Sequence, residues 1–308
     1  MHSNLKYHVV ALLVVIVWGS TFVFTKLLLL SGLSPAHIFT LRFIVAYVLL
    51  LAVSLLGHRH RWWATDAKDE LLMIGLGVTG GSLYFLSENA AMNYTTTTNT
   101  SLIVCLCPLF ASLLIWAFYR SERLGTVQVA GSLLAAAGVV LVVLNGQFVL
   151  HLSPKGDALA FVACLCWAVY SLLLIPAYKR YDTLFITRKV FAYGLLTMIP
   201  YYIVYPDLPP MEALRSPAAI VQLLFLGCIA STACFMAWNW AVSHLGAVVT
   251  TNYVYVNPVV TIVCAWMVLS EHITLWFLLG TALILMGLYL ADKRPATSGK
   301  AAYSLNDK

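Results

Sequence analysis

Ten mostly apolar stretches divide this chain of 308 residues, at roughly 8–30, 36–56, 71–92, 98–119, 126–144, 157–177, 184–205, 217–240, 248–269 and 273–291. A helix of about 20 such residues crosses the ~30 Å hydrocarbon layer of a bilayer. In lipid, backbone polar groups must be satisfied within a helix or a closed barrel. A barrel would alternate polar and apolar residues over segments of about ten, whereas residues 133–144 are apolar throughout. The sequence therefore predicts an all-α integral membrane protein with ten transmembrane helices. With 61% apolar and only 10% charged residues, it cannot clothe a soluble surface, where about 25% charge is usual. A soluble enzyme, a nucleic-acid binder and a disordered chain are excluded, and the spans leave no loop for a soluble domain.

The net charge of +6 follows sidedness rather than an acidic partner. With the N-terminus cytoplasmic, Lys6, Arg59, Arg61, Lys68, Arg120, Arg123, Lys179, Arg180, Arg188, Lys189, Lys293, Arg294, Lys300 and Lys308 fall inside. Only Lys26, Arg42, Lys155 and Arg215 fall outside. Such a bias marks the cytoplasmic face and places both termini there. One Lys precedes the first span, with no small-residue cleavage site after a short apolar region, so a cleaved signal peptide is not expected. Cys105, Cys107, Cys164, Cys166, Cys228, Cys234 and Cys264 all lie inside predicted spans. They read as small buried packing residues rather than disulfide or metal sites.

The chain repeats itself at an offset near half its length. At an offset of 150, Phe85 falls on Phe235, Asn89 on Asn239, Thr100 on Thr250, Pro108 on Pro258 and Trp116 on Trp266. At 149, Trp18 falls on Trp167, Glu122 on Glu271, Gly131 on Gly280 and Gly138 on Gly287; at 146, Phe39 falls on Phe185, Arg42 on Arg188 and Tyr47 on Tyr193. Five spans per half is an odd number, so the second half enters the membrane upside down. Inverted repeats are a transporter architecture with the site near the midplane, where the repeats meet. The expected divisions are 1–150, 151–292 and a cytoplasmic tail, 293–308.

Trp18-Gly-Ser-Thr-Phe with Lys26, Pro35 with Arg42, and Pro108 with Glu122, Gly131 and Gly138 resemble the EamA family of the drug/metabolite transporter superfamily. Trp167, Asn239, Pro258, Glu271, Gly280 and Gly287 repeat the pattern, with Ala168-Val169 in place of the Gly-Ser after the Trp. The resemblance covers about residues 8–291. It implies ten helices, small-metabolite transport and a central cavity lined by spans 1, 3, 4, 6, 8 and 9.

Glu88 is the only carboxylate well inside a predicted span, and an ionisable group at that depth is by default a functional candidate. It reads either as a proton carrier or substrate-amine anchor, or as a protonated group bonded within the bundle. Tyr84, one turn earlier on the same face, is placed to hydrogen-bond it. Trp18, Asn89, Asn99, Trp167, Trp238, Asn239, Tyr253 and Asn257 complete the candidate substrate-binding set. Buried amides need partners, which a water-filled path or a neighbouring helix supplies. Pro108 and Pro258 free the carbonyls of Val104 and Val254, as hinges or as static bends. Lys26 and Arg42 are expected to snorkel, and Glu122 and Glu271 to be solvated loop-end partners. The small-residue pairs Gly131/Gly138, Gly280/Gly287 and Gly77/Gly81 read as close helix packing, with a dimer contact as the alternative.

The histidines fall mostly in loops and termini, and no phosphate loop, nucleophile elbow or HExxH occurs. The expectation is a plasma (inner) membrane carrier, not an enzyme, with no cofactor or metal and no nucleic-acid partner. It would act in membrane lipid as a monomer or weak homodimer, with possible proton coupling. Its expected work is export of amino acids or related amphipathic compounds by alternating access. A multidrug or organic-cation exporter and a channel are the alternatives.

Overall fold

The computed structural model describes residues 5–57, 61–95, 97–119, 125–144, 153–269 and 275–291. The expectations for Glu122, Glu271 and the 293–308 tail lie outside the described residues, as does the side chain of Asn99. Among the described residues all regular structure is helical. Helix α1 is Leu5–Leu30, α2 Pro35–Leu56 and α3 Ala67–Tyr94; α4 (Thr97–Val104), α5 (Cys107–Phe118) and α6 (Thr126–Leu144) complete the first half. The second half holds α7 (Pro154–Tyr178), α8 (Thr183–Leu196), α9 (Ile199–Val204) and α10 (Met211–Arg215). It closes with α11 (Pro217–Leu245), α12 (Ala247–Asn252), α13 (Asn257–Leu269) and α14 (Leu275–Ala291).

Local chemistry sets these boundaries. Ser34 caps α2, its hydroxyl accepting from the His37 amide at 3.2 Å, with Pro35 inside the first turn. Asp66 caps α3 through the Asp69 amide at 2.8 Å, and Asp182 caps α8 through the Phe185 amide at 2.9 Å. Each satisfies a donor that a helix start leaves open. Three predicted spans break just ahead of a proline, which removes a backbone donor. The fourth is interrupted between Val104 and Cys107, ahead of Pro108. The seventh splits between α8 and α9, ahead of Pro200. In the ninth, a 3₁₀ turn at Tyr253–Val256 precedes Pro258. Among the described residues six helices are long and apolar enough to cross a membrane, and Cys107–Phe118, Thr126–Leu141 and Leu278–Ala291 are shorter apolar helices.

The exterior is apolar: Leu13, Leu30, Leu56, Leu71, Leu113 and Val221 all point outward. Exposure of this kind is an aggregation liability in water and costs nothing against lipid tails. The interior holds the polar groups, among them Arg42, Glu88, Asn89, Asn239, Asn252 and Asn257.

Packing repeats across the halves. Helix α1 packs on α11 as its counterpart α7 packs on α3; α1 packs on α13 as α7 packs on α5; α2 packs on α11 as α8 packs on α3. Helices α6 and α14 cross one another, each being the other's counterpart. The helices α3 and α11 each carry a π-helical stretch, at Val78–Ser82 and Phe225–Ala233, in matching places. The α6/α14 crossing explains the glycine spacing. A Cβ on Gly131 would lie 2.4 Å from the Ala291 amide nitrogen, and one on Gly287 would lie 2.4 Å from that of Ala135. The close packing expected of these residues is therefore within one chain.

Candidate functional site

A narrow cavity lies between the halves. Helix α1 lines it with Trp18, Thr21 and Phe22, α2 with Arg42, α3 with Tyr84, Phe85 and Glu88, and α7 with Trp167. Phe235 comes from α11, while Val104, Cys107, Val254 and Asn257 come from the breaks in the fourth and ninth spans. Proline chemistry reaches the cavity here. Pro108 and Pro258 remove the usual i+4 donors to the carbonyls of Val104 and Val254, and that of Val254 accepts instead from the Asn257 amide and from the Cys105 thiol at 3.3 Å.

The wall is largely aromatic. Trp18 stands edge-on to Trp167 with ring centres 5.3 Å apart, and Phe235 lies 5.5 Å from Trp18. Tyr84 is 5.1 Å from Trp167 and 4.8 Å from Phe85. Such edge-to-face and tilted contacts are the arrangements aromatic rings prefer. The Trp18 indole is anchored further by donating to the Ala230 carbonyl at 2.9 Å.

Two opposite charges face this wall. Glu88 is 7% exposed, and its Oε1 accepts from the Tyr84 hydroxyl at 2.8 Å. Arg42 is 2% exposed; its Nε donates to the Ser231 hydroxyl at 2.9 Å, and its guanidinium carbon sits 4.4 Å from the centre of the Phe85 ring. The expectation that Arg42 snorkels to the surface is corrected. Seven residues into α2, it lies about 10 Å along the axis and turns inward to Ser231. Its position also adds α2 to the expected lining of spans 1, 3, 4, 6, 8 and 9. Both Arg42 and Glu88 border the cavity, yet among the described residues no ion pair joins them directly. Two further polar atoms are buried without a hydrogen-bond partner on lining residues: the Trp167 indole nitrogen and Asn257 Oδ1.

Of the residues singled out in the sequence, the cavity gathers Trp18, Tyr84, Glu88, Trp167 and Asn257. Trp238 stands behind them, its ring 5.0 Å from Trp18. Asn239 serves as glue between helices, donating to Thr187 at 2.8 Å and accepting from Tyr170 at 3.1 Å. Asn89 donates to the Pro35 carbonyl at 3.3 Å, and the Tyr253 hydroxyl meets His8 Nδ1 at 2.8 Å. Arg42 and Phe235 were absent from that set. The repeat offset was the available signal for Phe235, which it pairs with Phe85.

A second polar cluster joins the start of α3 to α7 and α8. Arg180 donates to Asp69 at 2.8 Å, and the Tyr181 hydroxyl donates to the same carboxylate at 2.6 Å. Lys189 and Tyr193 both donate to Glu70 Oε1, and Arg188 donates to Ser54 and to the Arg61 carbonyl. The seven cysteines are unpaired, with Cys105, Cys107, Cys164, Cys166 and Cys234 buried. Among the described residues no cluster of potential metal ligands occurs.

The model of the EamA-like transporter family matches residues 5–144 and again residues 154–291. An uncharacterized transporter of Archaeoglobus fulgidus is 29% identical over 94% of this chain and 99% of its own length. A probable terminal-alkyne amino-acid exporter of Streptantibioticus cattleyicolor is 28% identical, covering 92% of each chain. A probable amino-acid metabolite efflux pump of Escherichia coli is 27% identical over 92% of this chain and 94% of its own. One crystal structure superimposes with a TM-score of 0.72 over 94% of this chain and 98% of its own, at 19% identity, which establishes a shared fold.

Proposed function

The chain belongs to the EamA-like transporter family, and from that premise we propose that it is a secondary carrier exporting amino acids or related amphipathic metabolites by alternating access. It is a multi-pass membrane protein of transporter type. The finer reading has ten spans in two inverted five-helix repeats, both termini cytoplasmic, in the plasma membrane. The mirrored packing of the halves supports this reading.

The observation that carries the proposal is the buried cavity where the repeats meet, with an Arg and a Glu set in an aromatic wall. Buried charges are costly unless paired, so a cavity that keeps both apart serves a partner entering from outside the fold. Alternating access follows from geometry: rocking one repeat against the other exposes a site at their junction to each side in turn. The names of two relatives, an amino-acid exporter and an amino-acid metabolite efflux pump, agree with the class of cargo.

The test is flux of a labelled amino acid through purified protein in proteoliposomes. A carrier gives saturable uptake, inhibited by unlabelled competitor and accelerated by substrate on the opposite side. Flux rising linearly with concentration, indifferent to competitors, would identify a channel instead. Screening medium from overexpressing cells for accumulated metabolites selects the substrate to label.

A further inference from the structure

We propose that the cavity recognises its cargo as a zwitterion, with Arg42 holding the carboxylate, Glu88 holding the ammonium, and the aromatic wall taking an apolar side chain. This inference rests on the transport reading and deepens it. It requires both charged ends of the cargo, and so excludes organic cations and simple carboxylates of the same size.

Each of the two groups keeps hydrogen-bonding capacity in reserve. Glu88 spends Oε1 on Tyr84, which leaves Oε2 for a second donor. Arg42 spends Nε on Ser231, which leaves two terminal amino groups, the fork that grips a carboxylate through parallel hydrogen bonds. The two side chains border one cavity without pairing to each other. A cation would satisfy Glu88 and leave Arg42 buried beside a second positive charge, and an anion would do the reverse. Only a ligand carrying both charges neutralises both walls.

The unpartnered polar atoms fit the same ligand. The Trp167 indole N–H can only donate, which suits a carboxylate oxygen, while Asn257 presents an amide acceptor that suits an ammonium. Both side chains are 4% exposed, so bulk water does not supply their partners. The aromatic wall formed by Trp18, Phe22, Phe85 and Phe235 then meets the rest of the ligand.

The halves contribute unequally, which gives the site a direction. Arg42 and Glu88 both come from the first repeat. Their counterparts are Arg188, which is engaged by Ser54 and the Arg61 carbonyl, and Trp238, which is buried in the aromatic cluster. The first repeat therefore carries the charges and most of the aromatic wall, and the second adds Trp167, Phe235 and the Asn257 amide.

The experiment compares phenylalanine with phenethylamine, which lacks the carboxylate, and with phenylpropionate, which lacks the amine. Each is tested as a competitor of labelled phenylalanine uptake into proteoliposomes and as a ligand raising the melting temperature of the protein in detergent. Wild type is expected to prefer phenylalanine over either analogue by at least about tenfold, since a site built to bond a group rejects the analogue lacking it. In Arg42→Gln the preference over phenethylamine should collapse, and in Glu88→Gln the preference over phenylpropionate. Arg42→Lys, which keeps the charge but loses the fork, should retain phenylalanine binding at lower affinity and guards against a merely misfolded Gln variant. Phenethylamine competing as well as phenylalanine in wild type would overturn the zwitterion site while leaving transport standing. A melting shift selective for phenylalanine without any flux would uphold the site and overturn the carrier reading. No shift with phenylalanine, leucine or methionine would overturn the site itself.

Discussion

Glu88 and Tyr84 met where helical spacing placed them, four residues apart on one face and 2.8 Å apart at their oxygens. A carboxyl in this position can be asked to carry a proton as well as a substrate amine, and two readouts separate those duties. Exchange at equal pH reports recognition, while accumulation under an imposed proton gradient reports coupling. Glu88→Gln keeps the shape but cannot titrate. We expect it to abolish pH-driven accumulation while exchange at saturating substrate continues at a reduced rate. Flux at two proton gradients for wild type and Glu88→Gln measures this, and unchanged pH dependence in a well-folded variant would end proton coupling at this residue. Arg42 escaped the sequence reading because the span alone does not record which way its side chain turns. What places it inside is Ser231, 189 residues away along the chain.

At the scale of elements, prolines, caps and glycines act locally, so their positions were legible while their consequences waited on neighbours. Pro108 and Pro258 had to release the carbonyls of Val104 and Val254. That both residues line the cavity depends on where the broken helices come to rest. The glycines of α6 announced a close approach without naming the other helix, and a second copy of the chain satisfied the same spacing as α14. The structure places α14 there, with backbone atoms where a Cβ would go. Gly131→Ala and Gly287→Ala should therefore each destabilise the protein by about 1–3 kcal/mol, the usual cost of overpacking. Thermal unfolding in detergent checks this. The substitution should lower the melting temperature at every protein concentration; an effect seen only where dimers form would place the contact between chains instead.

For the whole molecule, the division of positive charge predicts sidedness. Fusions of a reporter near Arg61 and at Lys308 should report cytoplasm, and one near Lys155 should report the opposite side. Finding Lys155 and Lys308 on the same side would remove the inversion and, with it, the proposed mechanism. That the chain crosses a membrane several times was readable from its apolar segments, because lipid imposes a length and a polarity on every crossing segment, and the duplication was readable from its repeat offset. Those constraints act on each segment by itself, so they survive in a one-dimensional pattern. Which buried polar groups face a cavity and which bond a neighbour was decided only by tertiary structure. Asn89, Asn239 and Asn257 look alike as amides within apolar spans, yet Asn239 spends both ends on Thr187 and Tyr170, while Oδ1 of the cavity-lining Asn257 is buried without a partner. The physical reason is that a helix satisfies its own backbone but not its side chains. The partner of a side chain is whatever the rotation and packing of another helix bring within about 3 Å, and no local pattern records that.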